Sequence, residues 1–183
     1  WVELVVGDDS TKQEFELLPD PRSEATPEDY VAQFSFLKSV VEKVDETHKA
    51  IKAMRSYTSA INDLVASMPK DSALNAVKDS AKAITKDLSA IEKTLYQTKN
   101  RSGQDPLNFP IRLNNKLAHL NSIGTVGNFK PTDQMVTFKN EVTEKIDAAL
   151  EKFHTIEEER IPAFNTLVKA SPIEPVPIKK SND

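Results

Sequence analysis

The sequence predicts an all-α fold, an antiparallel three- to four-helix bundle with two long helices, preceded by an N-terminal β-hairpin. Three observations predict it. Apolar residues recur at alternating spacings of three and four over long stretches, the pattern of a buried helix stripe. Only four glycines occur, too few for the many tight turns of an all-β fold. The eleven prolines cluster between the periodic stretches, where they act as punctuation. Residues 1–25 read as hairpin and Pro-rich linker, 26–170 as the helical bundle, and 171–183 as an extended, Pro-rich tail.

Residues Trp1 to Leu18 read as the hairpin. Val2, Leu4 and Val6 alternate with Glu3 and Val5, GDDST supplies the turn, and Phe15 and Leu17 alternate with Glu14 and Glu16. A lone hairpin is marginal in water, so its strands either lean on the helices or belong to a sandwich domain upstream. The chain opens on Trp1 in mid-pattern, without initiator Met or signal peptide, and so reads as a piece of a longer polypeptide. Leu18-Pro19-Asp20-Pro21-Arg22 cannot continue a central strand, because its prolines lack ladder donors.

Thr26-Pro27-Glu28-Asp29 starts the first long helix: Thr as cap, Pro at the first helical position, acids in the first turn. Tyr30, Phe34, Leu37, Val41, Val44, His48 and Ile51 mark its buried face, which continues less regularly to Met68 before Pro69. At about 1.5 Å per residue it runs for about 60 Å and calls for a partner of similar length. The second helix has the cleanest seam: Leu74, Val77, Ala81, Ile84, Leu88, Ile91 and Leu95 follow the three-four alternation without a miss. The short Lys70-Asp71-Ser72 connection makes it an antiparallel neighbour of the first.

Between Asn100 and Leu120 the chain turns. Ser102-Gly103 breaks the helical pattern, Asp105-Pro106 favours a turn, and Pro110 suits the first turn of a short helix carrying Leu113, Leu117 and Leu120. Gly124 to Gly127 ends that helix, and Pro131-Thr132-Asp133 starts the last one. Met135, Phe138, Val142, Ile146, Ala149, Phe153 and Ile156 mark its buried face. Pro162 is expected to kink it before Ala163, Phe164 and Leu167 resume the pattern.

Charge and composition narrow the function. The net charge is -4, with lysines scattered among glutamates, so nucleic acid is a poor partner. No apolar run is long enough for membrane insertion. With no cysteine there is neither a disulfide nor a thiolate site. His48, His119 and His154 lack a second histidine or carboxylate at helical ligand spacing; His48, on the seam, reads as a semi-buried, hydrogen-bonded side chain rather than a ligand. Glu157-Glu158-Glu159 points in three directions on a helix and reads as a solvated run. Neither cofactor nor metal is expected, and no catalytic residue emerges. Asn100-Arg101-Ser102 is formally a glycosylation sequon, with no role assigned.

The polar set Tyr96, Asn100, Gln104, Asp105, Asn108, Asn114 and Asn115 is the candidate site. Asparagine costs about 0.5 kcal/mol or more relative to alanine inside a helix. The adjacent Asn114 and Asn115 therefore suggest side chains that satisfy a buried loop backbone, or else a polar surface for a sugar, peptide or partner domain.

The run YQTKNRSGQDPLNFPIRLNNKLAHL resembles the C-terminal helical region of large bacterial exported proteins, mostly from Bacteroidetes. These carry a sortilin-like, BNR-repeat β-propeller and are often labelled putative glycosyl hydrolases. LLPDPR resembles the linker that follows their β-rich module. The resemblance implies that Trp1–Leu18 ends an upstream β-module and that the parent protein is exported, to the periplasm, cell surface or medium. It implies as partners the β-module and propeller of the same polypeptide, with a protein or glycan ligand besides. The expected function is a non-catalytic structural or interaction module. The alternative is an accessory part of a glycoside hydrolase whose active site lies in the propeller.

Overall fold

A computed structural model of the chain describes residues 1–171. The proposed tail falls almost wholly outside them. The described chain is mostly helical, with a two-stranded antiparallel hairpin at its N-terminus.

Strands β1 (Val2–Val6) and β2 (Asp9–Gln13) pair from Val2 opposite Gln13 to Val6 opposite Asp9. The loop is only Gly7-Asp8. Gly7 sits at φ +63°, as the first position of a two-residue hairpin turn demands, and this sets the register. The second strand is therefore the polar DSTKQ, and the expected strand over Phe15 and Leu17 does not form. Both faces of the hairpin are exposed, and neither strand contacts a helix.

Helix α1 (Pro27–Ser67) opens on a full capping box: Thr26 accepts from the Asp29 amide, and the Asp29 carboxylate accepts from the Thr26 amide at 2.9 Å. After a 3-10 turn over Ser72–Leu74, capped by Asp71, α2 (Asn75–Leu95) returns along α1, with Arg55 bonded to Glu92 at 2.7 Å. Every residue of the expected α2 seam is buried.

Helix α3 (Leu113–Gly124) continues in the same sense as α2, further along α1. Asn114 lies at His48, and Gln33 Nε2 donates to the carbonyls of Gly124 (2.7 Å) and Gly127 (2.9 Å). The end of α3 is pressed on α1: a Cβ on Gly124 would meet Leu37 Cδ2 at 2.8 Å. Pro110 lies outside α3, contrary to expectation, because Arg112 is extended and the helix begins only at Leu113.

Helix α4 (Asp133–Thr155) runs parallel to α1, as Lys139–Ser39 (3.0 Å) and Lys43–Asp147 (2.8 Å) show. A π turn over Ile156–Arg160 joins it to α5 (Ile161–Ala170). The Ile161 amide bonds back to the Ile156 carbonyl, five residues away. This widened turn is how the helix accommodates Pro162, which lacks an N–H and crowds the carbonyl four residues back. The extra residue also shifts the seam, so that Phe164 is buried and the expected Ala163 is exposed.

The shared core joins the α2 seam to Phe36, Val40, Ala50, Ile51 and Met54 of α1, Leu117 and Leu120 of α3, Val142, Ile146, Ala149, Leu150 and Phe153 of α4, and Ile156 of the π turn. The first half of α1 corrects the expected phase. Phe34 and Val41 are exposed, at 67% and 52%, while Phe36, Val40 and Thr47 are buried. Phe138 of α4 is likewise exposed. Among the described residues no helix is long and apolar enough to cross a membrane.

Candidate functional site

The seven polar residues do not converge on one site. The interrupted stretch between α2 and α3 is a self-contained loop, and its anchors are Gln97 and Asp105. After Leu95 the chain leaves helical geometry, with Tyr96 at φ -133° and ψ 145°. Gln97 then turns inward and is buried. Its Nε2 donates to the Pro110 carbonyl at 2.8 Å, and its Oε1 accepts from the Lys99 amide at 3.2 Å. One side chain thus ties the two ends of the loop.

Asp105 closes the middle. Its carboxylate accepts from the Arg101 amide, the Ser102 amide (2.9 Å) and the Ser102 hydroxyl (3.0 Å). These donors, Arg101 first and then Ser102, hold its carboxyl below the usual carboxylate value of 3.8. A short 3-10 turn over Asp105–Leu107 follows, and Lys99 lies over the Phe109 ring at 5.4 Å.

Asn114 serves a different role from the one expected. It is buried in the α1–α3 contact, where its Nδ2 stands 3.2 Å from His48 Nε2, and its Oδ1 has no partner among the described residues. It does not reach the loop backbone. His48 is not on the buried seam but at its exposed margin, because the α1 stripe is phased on Phe36 and Val40. Asn115 points away from this contact and is exposed, as are Asn100, Gln104 and Asn108. Tyr96 is half-buried against the core, with the Arg55 guanidinium 5.2 Å from its ring centre.

A second cluster, absent from the seven, stands at the π turn. Tyr57 donates to Glu157 Oε1 at 2.9 Å, and Glu157 Oε2 lies 3.6 Å from His154 Nδ1, a partner three residues on that the sequence reading overlooked. The Glu157 acceptor, with burial behind it, raises the Tyr57 phenol above its usual value. The phenol therefore stays protonated, holding α1 to the π turn. Glu157 is thus engaged while Glu158 and Glu159 remain exposed. On the other side Arg160 donates to Asp87 of α2 at 2.6 Å.

Further along the α1–α4 contact, Lys43 bridges Asp147 (2.8 Å) and Glu46 (2.6 Å). Partial burial opposes its charge, but the two carboxylates outweigh it and raise the ammonium pKa. Tyr57–Glu157, Arg160–Asp87 and Lys43–Asp147 thus join neighbouring helices. Among the described residues no three His, Asp or Glu side chains gather in metal-binding geometry.

Gln97 carries no sequence signal beyond standing just after the last seam residue, where a helix end leaves carbonyls to satisfy. The Tyr57–Glu157 pair spans one hundred residues and is set by the parallel course of α4. Comparison with protein-family models, curated proteins and solved structures finds no match to this chain.

Proposed function

We propose that residues 26–170 are an antiparallel bundle serving as a non-catalytic structural or interaction module, C-terminal to a β-module in an exported protein of the BNR or sortilin-like kind. The unpartnered hairpin carries this reading. β1 carries Val2, Leu4 and Val6 on one face and Glu3 and Val5 on the other, with Trp1 just ahead of it, and the apolar residues among these are all more than half exposed. β2 is polar along its whole length. An apolar strand beside a polar one is the pattern of an inner strand next to a sheet's protected edge. The hairpin thus suits a larger sheet that covers β1, and the resemblance puts a β-rich module just ahead of such a region.

The helical part supports a holding role in the same way. The ion pairs Lys43–Asp147, Arg55–Glu92 and Arg160–Asp87 join its helices, and its buried asparagine and glutamine serve packing and loop closure. The module works outside the cytoplasm, with the β-module and propeller of its own polypeptide as partners. The exposed loop amides Asn100, Gln104 and Asn108 are offered to a protein or glycan ligand, with Asn115 exposed separately on α3.

Hydrogen exchange tests the reading. Amides of residues 1–6 exchange fast in this chain and become protected in a polypeptide extended upstream; equal exchange in both overturns it. Turnover of any member of a glycan panel by this chain alone overturns its non-catalytic part.

A further inference from the structure

We propose that the groove between α2 and α4 receives residues 14–18 of a second copy of this chain. The groove is made of two hollows of about 350 and 210 Å³ that share Ala90, Ile91 and Lys152. Ile91, Ala149 and Ile156 form its buried floor, and the exposed Ala90 and Ala148 its low walls. Lysines stand on both lips. Lys145 and Lys152 line the α4 side, and Lys86 and Lys93 flank Ala90 on α2, four residues before it and three after. All four are exposed, and none has an ion-pair partner among the described residues. Asp87, the carboxylate in the lining, is already held by Arg160 at 2.6 Å. In a chain of net charge -4 this is a local surplus of positive charge around an apolar floor. Its complement is an extended segment in which apolar residues and carboxylates alternate.

Glu14-Phe15-Glu16-Leu17-Leu18 is such a segment. It forms no strand and all five residues are exposed, Phe15 at 54% and Leu17 at 85%. Neither glutamate has an ion-pair partner among the described residues. On extended backbone Phe15 and Leu17 share one side and can face the floor, leaving Glu14 and Glu16 to the long lysines on the lips. The lengths agree: five extended residues cover about 16 Å at about 3.3 Å each, and Lys145 to Ile156 about 17 Å at about 1.5 Å each. The chain cannot fill its own groove. Leu150, beside the middle of the floor, lies level with Ala50 of α1, about 35 Å along the helix from Pro27. The nine residues from Leu18 to Pro27 reach about 32 Å at most, and the Ser23 amide, turned back to the Asp20 carbonyl at 2.9 Å, shortens them. Two copies can instead exchange segments, each filling the other's groove.

Sedimentation of the full chain over rising concentration, with methyl NMR of the same samples, tests the contact. The chain is expected to self-associate, and the Ala90 and Ala148 methyl resonances to move as it does. Phe15→Asp with Leu17→Asp, in an exposed segment outside the helices, lowers the association constant about tenfold or more, because two apolar side chains are no longer buried. Lys145→Glu with Lys152→Glu weakens self-association several-fold, as does Glu14→Lys with Glu16→Lys, and mixing the two reversed chains restores it. A chain that is monomeric at every concentration overturns the proposal. So does association that survives Phe15→Asp with Leu17→Asp, which would move the contact to another surface such as the free edge of β1. Association that leaves both methyl resonances in place overturns it too.

Discussion

Gln97 and Asp105 hold one loop by different means, and single substitutions separate them. Gln97 is buried and satisfies a carbonyl and an amide that have no other partner in the loop. Gln97→Ala is expected to destabilise the chain by about 1–3 kcal/mol, two hydrogen bonds at about 0.5–1.5 kcal/mol each, read from chemical denaturation. Asp105 is half-buried and bonds only within the loop, so its effect is local and depends on pH. Its folded pKa is depressed, so its contribution is complete above the unfolded value of 3.8 and is lost as pH falls through the folded value. The Arg101 and Ser102 amides are expected to lose exchange protection on acidification below about pH 4, and in Asp105→Asn to be weakly protected at every pH. Of these two residues the sequence showed only Asp105, because an Asp before Pro at a turn has a known local chemistry. A glutamine that bridges thirteen residues has none. Asn114 drew notice as a costly helix residue, but its partner His48 depends on how α3 lies on α1.

At the scale of the element, the seam of α2 was legible because every third or fourth residue is apolar and the neighbours are polar or alanine. The start of α1 was not. Phe34–Val41 and Phe36–Val40 offer two stripes, and the true one continues through Lys43 and Thr47, which look solvated until α4 supplies Asp147 and the Thr47 hydroxyl donates to the Lys43 carbonyl at 2.7 Å. The hairpin went astray for a similar reason: Gly7 places the turn two residues long, and the turn outranks the alternation around Phe15. The π turn yields the sharpest prediction at this scale. It holds one residue more than an α-helical seam needs. Deleting Glu158 together with Pro162→Ala is therefore expected to keep the fold and most of the melting temperature. Deleting the exposed Glu144 rotates the seam beyond it by about 100° and is expected to unfold the chain, both read by circular dichroism. Equal damage from the two deletions would count against the π turn as a register device.

At the scale of the whole molecule, the hairpin and the helices share no contact among the described residues, so their stabilities are expected to be separate. Removing residues 1–18 should leave the helical melt within about 0.5 kcal/mol of the full chain, whereas Leu117→Ala, fully buried where α3 meets the core, should cost about 2–5 kcal/mol. A large shift on removing the hairpin would mean that it packs on the helices after all. The parallel course of α1 and the α4–α5 pair has a mechanical outcome of its own. A single up-and-down pair of helices brings its two chain ends together, but here a rod enters at Pro27 and another leaves at Ser171 after travelling the same way. Two bodies tethered at those points would be kept roughly 60 Å apart, the length of α1 at about 1.5 Å per residue, and a pull on one would load both rods along their axes.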